Sequence, residues 1–156
     1  MTFDRFRPAL AVLLLAAATS APAQTARPML DYATAAQIRD GCLAWAAERK
    51  LTVAVAVYDE AGRLITFAIA DGTPTAVADF AMWKGKSAAT IHVASKETAN
   101  WGNGPASLAS WEGGTPIFTP EGTALGGVGV SGASGAEDGA CGEAGIAAAG
   151  MAPRGS

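Results

Sequence analysis

Hydrophobic periodicity divides the chain into segments of different character. A nearly unbroken apolar run from Ala9 to Ala18 comes first. Ile38, Cys42, Trp45 and Ala46 then recur at helical spacing, which predicts a helix capped by Asp31 or Thr34 and running to about Lys50. From Leu51 to Tyr58 the chain turns β-branched and aliphatic, and Arg63 to Ile69 alternates again around the turn Asp59-Glu60-Ala61-Gly62. That pattern predicts a β-hairpin, with Gly62 free to take positive φ. Asp71-Gly72-Thr73-Pro74 breaks the chain, and Thr75 to about Ile91 reads as a second helix carrying Val77, Phe80, Ala81 and Lys84. Residues 92–114, rich in Gly, Asn, Ser and Trp, read as loop with one short helical turn. Ile117 and Phe118 predict a short strand, Thr119 to Thr123 a turn, and Ala124 to Ser131 a strand interrupted by Gly126, Gly127 and Gly129. A closing helix spans about Ala136 to Ala149. Helix, hairpin, helix, strands, helix is not a βαβα alternation, so the expected class is α+β with an antiparallel sheet.

The first apolar run is an address and not part of the fold. Arg5 and Arg7 precede it and Ala21-Pro22-Ala23 follows it, the arrangement of a secretory signal peptide cleaved after Ala23. Ten apolar residues are too few to cross a bilayer, which takes about 20, so no membrane anchor is expected after cleavage. Residues 24–156 then form one domain, periplasmic or secreted. The net charge of −3 becomes one unit more negative when Asp4, Arg5 and Arg7 leave. Without a run of Lys or Arg, nucleic acid is not an expected partner.

Candidate chemistry is sparse. Gly127-Val128-Gly129-Val130-Ser131-Gly132 spells G-x-G-x-x-G, but no further strand or βαβ unit follows, so nucleotide binding is not inferred. Ser131 and Ser134 lie outside a G-x-S-x-G elbow, and no catalytic residue is assigned. One histidine and two cysteines are too few for an ordinary zinc site. His92 is either an axial ligand to heme iron or a histidine at a helix end; Met29, Met82 and Met151 are either iron ligands or core fillers. Lys84 sits among Ala81, Met82, Trp83, Ala88 and Ala89, so it either snorkels to solvent or pairs with Asp59, Asp71 or Asp138. Trp101 and Trp111, beside glycines, are expected to cover a pocket or a subunit contact.

Five pieces, in order, resemble the HbpS/GlcG family of heme-binding and heme-degrading domains. They are Val53 to Leu64, Asp71-Gly72, Lys84 to Ala89, Gly113-Gly114-Thr115-Pro116-Ile117, and Gly126 to Gly132 with Glu137-Asp138, over about Leu30 to Ala149. The resemblance implies a profilin-like α+β fold with a five-stranded antiparallel sheet and the first and last helices side by side. It implies homo-oligomers built from dimers, and heme bound at the surface or between subunits. Carried over residue by residue, it marks Lys84, Gly113, Gly114, Pro116, Ser131, Gly132 and Asp138 as a pocket rim. The chain departs from the family at Ile91, where an aromatic is usual, and in the Trp- and Gly-rich segment 92–112.

The expected function is therefore binding of heme or a related tetrapyrrole, a binder more than an enzyme. The alternatives are a binder of another small organic acid or aromatic, with Lys84 supplying charge, and a ligand-free accessory protein acting through its oligomer surface. Gly139, Gly142 and Gly145 are expected to let the last helix dock closely on the first. Cys42 shares a stripe with Ile38 and Trp45, and Cys141 a face with Gly145 and Ala148, so the two thiols are expected to form a disulfide in an oxidising compartment.

Overall fold

The computed structural model describes residues 24–102 and 104–154, so the expected leader lies outside the described residues. The elements are α1 (Tyr32–Glu48), β1 (Ala54–Asp59), β2 (Leu64–Ile69), α2 (Thr75–Ile91), α3 (Ser95–Thr98), β3 (Gly114–Phe118), β4 (Ala124–Ser131) and α4 (Gly135–Ala148). All strand pairs are antiparallel, in the order β2-β1-β4-β3. Asp31 caps α1 by accepting from the Thr34 amide at 2.7 Å. In the β1–β2 turn, Gly62 has φ +74°, and Asp59 Oδ1 accepts from the amides of Ala61 (3.0 Å) and Arg63 (2.9 Å).

Alternation along β1 explains why the sheet is covered on both faces. Val53, Val55 and Val57 point into a core shared with Ile38, Cys42, Cys141 and Ile146 of α1 and α4. Ala54, Ala56 and Tyr58 meet Ala78, Ala81 and Ala89 of α2 on the other face. Small residues on that second face let the α2 backbone touch the sheet: a Cβ on Gly129 would stand 2.0 Å from the Ala81 carbonyl oxygen and 2.2 Å from the Gly85 nitrogen. Gly127 and Gly129 of β4 thus admit α2, whereas Gly126 admits the backbone of β1 at Tyr58. α1 and α4 lie side by side, as expected, and Cys42 and Cys141 are disulfide-bonded with Cα atoms 4.7 Å apart.

Two expectations need correction. Of the three α4 glycines, only Gly145 meets α1, where a Cβ would stand 2.2 Å from the Ile38 carbonyl oxygen; Gly142 faces Thr115 and Val128 of the sheet, and Gly139 faces Glu112. The sheet has four strands and not five. A fifth shrinks to one bridge, in which Phe118 and Ala152 exchange hydrogen bonds of 2.8 and 2.9 Å. Pro153, which has no N–H, follows at once and ends the pairing.

The outer edge of β3 is closed at both ends by different devices. The Gly114 amide donates to Ser95 Oγ of α3 at 2.8 Å, the Phe118 amide to the Ala152 carbonyl, and Pro116 between them has no donor. α3 and the C-terminal segment therefore stand along one strand edge with a gap over Pro116.

Candidate functional site

Lys84 resolves in favour of pairing. Its Nζ donates to Asp138 Oδ2 (2.9 Å), the Val130 carbonyl (3.0 Å) and Ser131 Oγ (3.3 Å), so all three ammonium protons have acceptors. Lys84 and Asp138 are only 3% and 2% exposed. Asp138 Oδ1 also accepts from the Ala133 amide at 3.0 Å. Burial pushes the Asp138 carboxyl above its ordinary value, against the opposing pull of the Lys84 ammonium and the Ala133 amide. The pair ties α2 to α4, helices on opposite faces of the sheet.

Gly113 completes this cluster: at φ +123°, a Cβ there would lie 2.6 Å from the Val130 carbonyl oxygen and 2.8 Å from Lys84 Nζ. A Cβ on Gly114 would meet the Lys84 carbonyl oxygen at 2.5 Å. The residues marked as a pocket rim therefore separate into three places. Lys84, Ser131 and Asp138 form a buried staple that Gly113 and Gly114 allow to close. Pro116 floors the gap along β3. Gly132, at φ +135°, packs against the Thr52 carbonyl ahead of β1. The two other acids weighed for Lys84 lie elsewhere: Asp59 binds Arg63, with Oδ2 at 2.7 Å from Nε and 2.6 Å from Nη2, and Asp71 is exposed in its turn. Ser134 is the N-cap of α4 in a capping box with Glu137, a structural role.

The gap beside β3 opens as a groove of about 180 Å³. Thr115, Pro116 and Phe118 form its floor, and Val93, Ala94, Lys96 and Glu97 around α3, Glu143 of α4, and Pro153 and Arg154 of the C-terminal segment line its walls. His92 stands at its mouth. It is the C-cap of α2 in the left-handed region (φ 58°, ψ 30°), exposed, with its ring edge-on to Phe118 at 6.2 Å. Histidine tolerates that conformation better than most residues, and turning the chain there swings the imidazole off the helix toward the groove. A smaller hollow continues past Lys96 and Glu143 to Gly113, Gly114 and Gly139. Among the described residues, no cluster of three His, Cys, Asp or Glu could hold a bare metal ion, and no helix is long and apolar enough to cross a membrane.

The methionines do not converge on His92 as a set. Met29 is 73% exposed in an N-terminal depression, Met82 packs on the α2 core and Met151 on the α1/α4 core. Trp111 is 56% exposed, with Phe80 at 5.0 Å and Trp83 at 6.0 Å, and Trp101 borders an apolar hollow with Ile91, Pro105 and Leu108. Lys96, Phe118, Pro153 and Arg154 were not legible as site residues. They meet only because α3 and the C-terminal segment both dock on one strand edge.

Layered as helix, antiparallel sheet and helix, with a mixed apolar and charged groove at the sheet edge, the chain has the architecture of a small ligand-binding α+β domain. The model of the haem degrading protein HbpS-like family matches residues 30–147, and the chain belongs to that family. HbpS itself is 26% identical over 83% of this chain and 96% of its own, with a TM-score of 0.73. A double mutant of Streptomyces reticuli HbpS is 27% identical over 90% of this chain and 97% of its own, also at 0.73. A complex of PduOC with heme shares the fold at 19% identity and a TM-score of 0.73, covering 81% of this chain and 99% of that one. No curated protein sequence matches significantly.

Proposed function

We propose that the protein binds heme or a related tetrapyrrole in the groove along β3, with His92 as the iron ligand, in the periplasm after removal of residues 1–23. The observation that carries this reading is the placement of the one imidazole of the chain at the mouth of an apolar-floored groove. The residues present fit the group. A neutral imidazole suits heme iron, Pro116 and Phe118 offer an apolar floor with no unsatisfied N–H, and bound heme would supply the redox-active iron. Membership of a family named for haem degradation, and heme in the PduOC complex, favour this ligand over other organic acids or aromatics.

The buried Lys84 does not serve as the ligand's counter-charge, because Asp138 already neutralises it. A groove of about 180 Å³ is smaller than the roughly 300–1,000 Å³ of enclosing ligand sites, so a macrocycle would keep one face outside the chain. That supports a homo-oligomer built from dimers in which another copy covers the exposed face, and the exposed rings of Phe80 and Trp111 offer further contact surface. The Cys42–Cys141 bond favours an oxidising location. Hemin titrated into residues 24–156 should give a saturable Soret band, and His92→Ala should shift its maximum and weaken binding about tenfold or more. Absence of a saturable band would refute the reading.

A further inference from the structure

Two cations flank the groove, and each is tied to a different end of β3. Lys96 follows Ser95, whose Oγ holds the Gly114 amide; Arg154 lies two residues beyond Ala152, which pairs with Phe118. Four residue steps along the strand, from Gly114 to Phe118, separate these anchor points, roughly 13 Å at about 3.3 Å per step. Between them the floor is Pro116, where an apolar surface can lie without stranding a donor.

The acids in the groove are Glu97 and Glu143. Glu143 stands 4.0 Å from Lys96 Nζ, a loose pair between half-exposed side chains that a ligand carboxylate can replace at little cost. Among the described residues Arg154 has no ion-pair partner. Lys96, with its acid partner loosely held, and Arg154 thus leave two cations beside an apolar strip where an anion can meet each of them. That is the complement of a flat apolar body carrying two carboxylates.

We propose that Lys96 and Arg154 bind the two carboxylates of the ligand, so that the groove selects a porphyrin by its free acid groups and not by its ring alone. This rests on the tetrapyrrole reading above and adds the determinant of selectivity. Metal-free protoporphyrin IX separates that determinant from iron ligation by His92. Its affinity and that of its dimethyl ester would be measured by porphyrin fluorescence in the same dilute detergent. The proteins are residues 24–156 as wild type, Lys96→Gln, Arg154→Gln and the double variant, with melting curves as folding controls; both side chains are exposed.

The free acid should bind at least tenfold more tightly than the ester, each single variant should lose about tenfold for the free acid, and the double variant should no longer distinguish the two. Equal affinity of the wild type for acid and ester, or a preference that survives in the double variant, would overturn the assignment while leaving tetrapyrrole binding intact. Failure of hemin and both porphyrins to bind would overturn the tetrapyrrole reading and this inference together.

Discussion

Lys84 and Asp138 show how one buried pair of residues can tie the layers of the molecule together. Removing either partner leaves a charge buried among apolar groups, so Lys84→Met or Asp138→Leu alone should cost about 3–5 kcal/mol in urea unfolding. The double replacement should recover most of that loss, because no unpaired charge remains. Equal losses in single and double variants would contradict the staple. Asp59 carries a pH dependence of opposite origin. Burial alone would raise its carboxyl, but the backbone and side chain of Arg63 and the Ala61 amide outweigh it and hold the carboxyl below its ordinary value. A lowered folded-state pKa gives stability that is present above the unfolded value, near 3.9, and lost as pH falls through the folded one. Asp59→Asn should therefore lower stability at pH 7 and flatten its fall on acidification below about pH 4. Asp138, raised and not lowered, does not add to that acid loss.

At the scale of elements, the helices sit where glycine lets them sit. A Cβ on Gly145 would stand 2.2 Å from the Ile38 carbonyl oxygen and one on Gly129 2.0 Å from that of Ala81, whereas Gly139 has only Glu112 Oε1, at 3.6 Å, as its nearest neighbour. Gly145→Ala and Gly129→Ala should each cost about 1–3 kcal/mol or more by overpacking. Gly139→Ala should gain up to about 1 kcal/mol from helix propensity. The same sign at all three positions, by thermal unfolding, would contradict the packing described. These contacts mark the boundary of what was legible. The hairpin, α2 and β4 follow from apolar period, turn residues and breakers, all local signals. β3 begins at Gly114, earlier than its apolar pair Ile117 and Phe118 suggests, because Gly113 and Gly114 are selected by the approach of α2 and not by strand propensity. Which α4 glycine faces α1 depends on helix rotation, and a run of Ala and Gly on every face leaves that undetermined.

For the whole molecule, the α1/α4 layer is locked by the Cys42–Cys141 bond across 99 residues of sequence, for which chain entropy gives roughly 4–5 kcal/mol. Thiol titration of denatured, unreduced protein should find no free thiol, and two after reduction; two before reduction would contradict the bond. The sequence left Lys84 open between snorkelling and pairing with one of three acids, and it marked His92 and Pro116, but the groove that joins those two to Lys96 and Arg154 was not legible. Its Lys96, Pro116 and Arg154 come from separate segments brought together when α3 and the C-terminal segment close the same sheet edge, and no local pattern records that meeting. The placement of a ligand in the groove rests on that meeting. Gallium(III) protoporphyrin IX, a diamagnetic analogue of heme, titrated into ¹⁵N-labelled residues 24–156 tests it most directly through amide shifts. The largest shifts should fall on His92, Val93, Lys96, Phe118 and Arg154. Shifts concentrated at Trp101 and Trp111, or around Met29, with His92 and Phe118 unmoved, would contradict it.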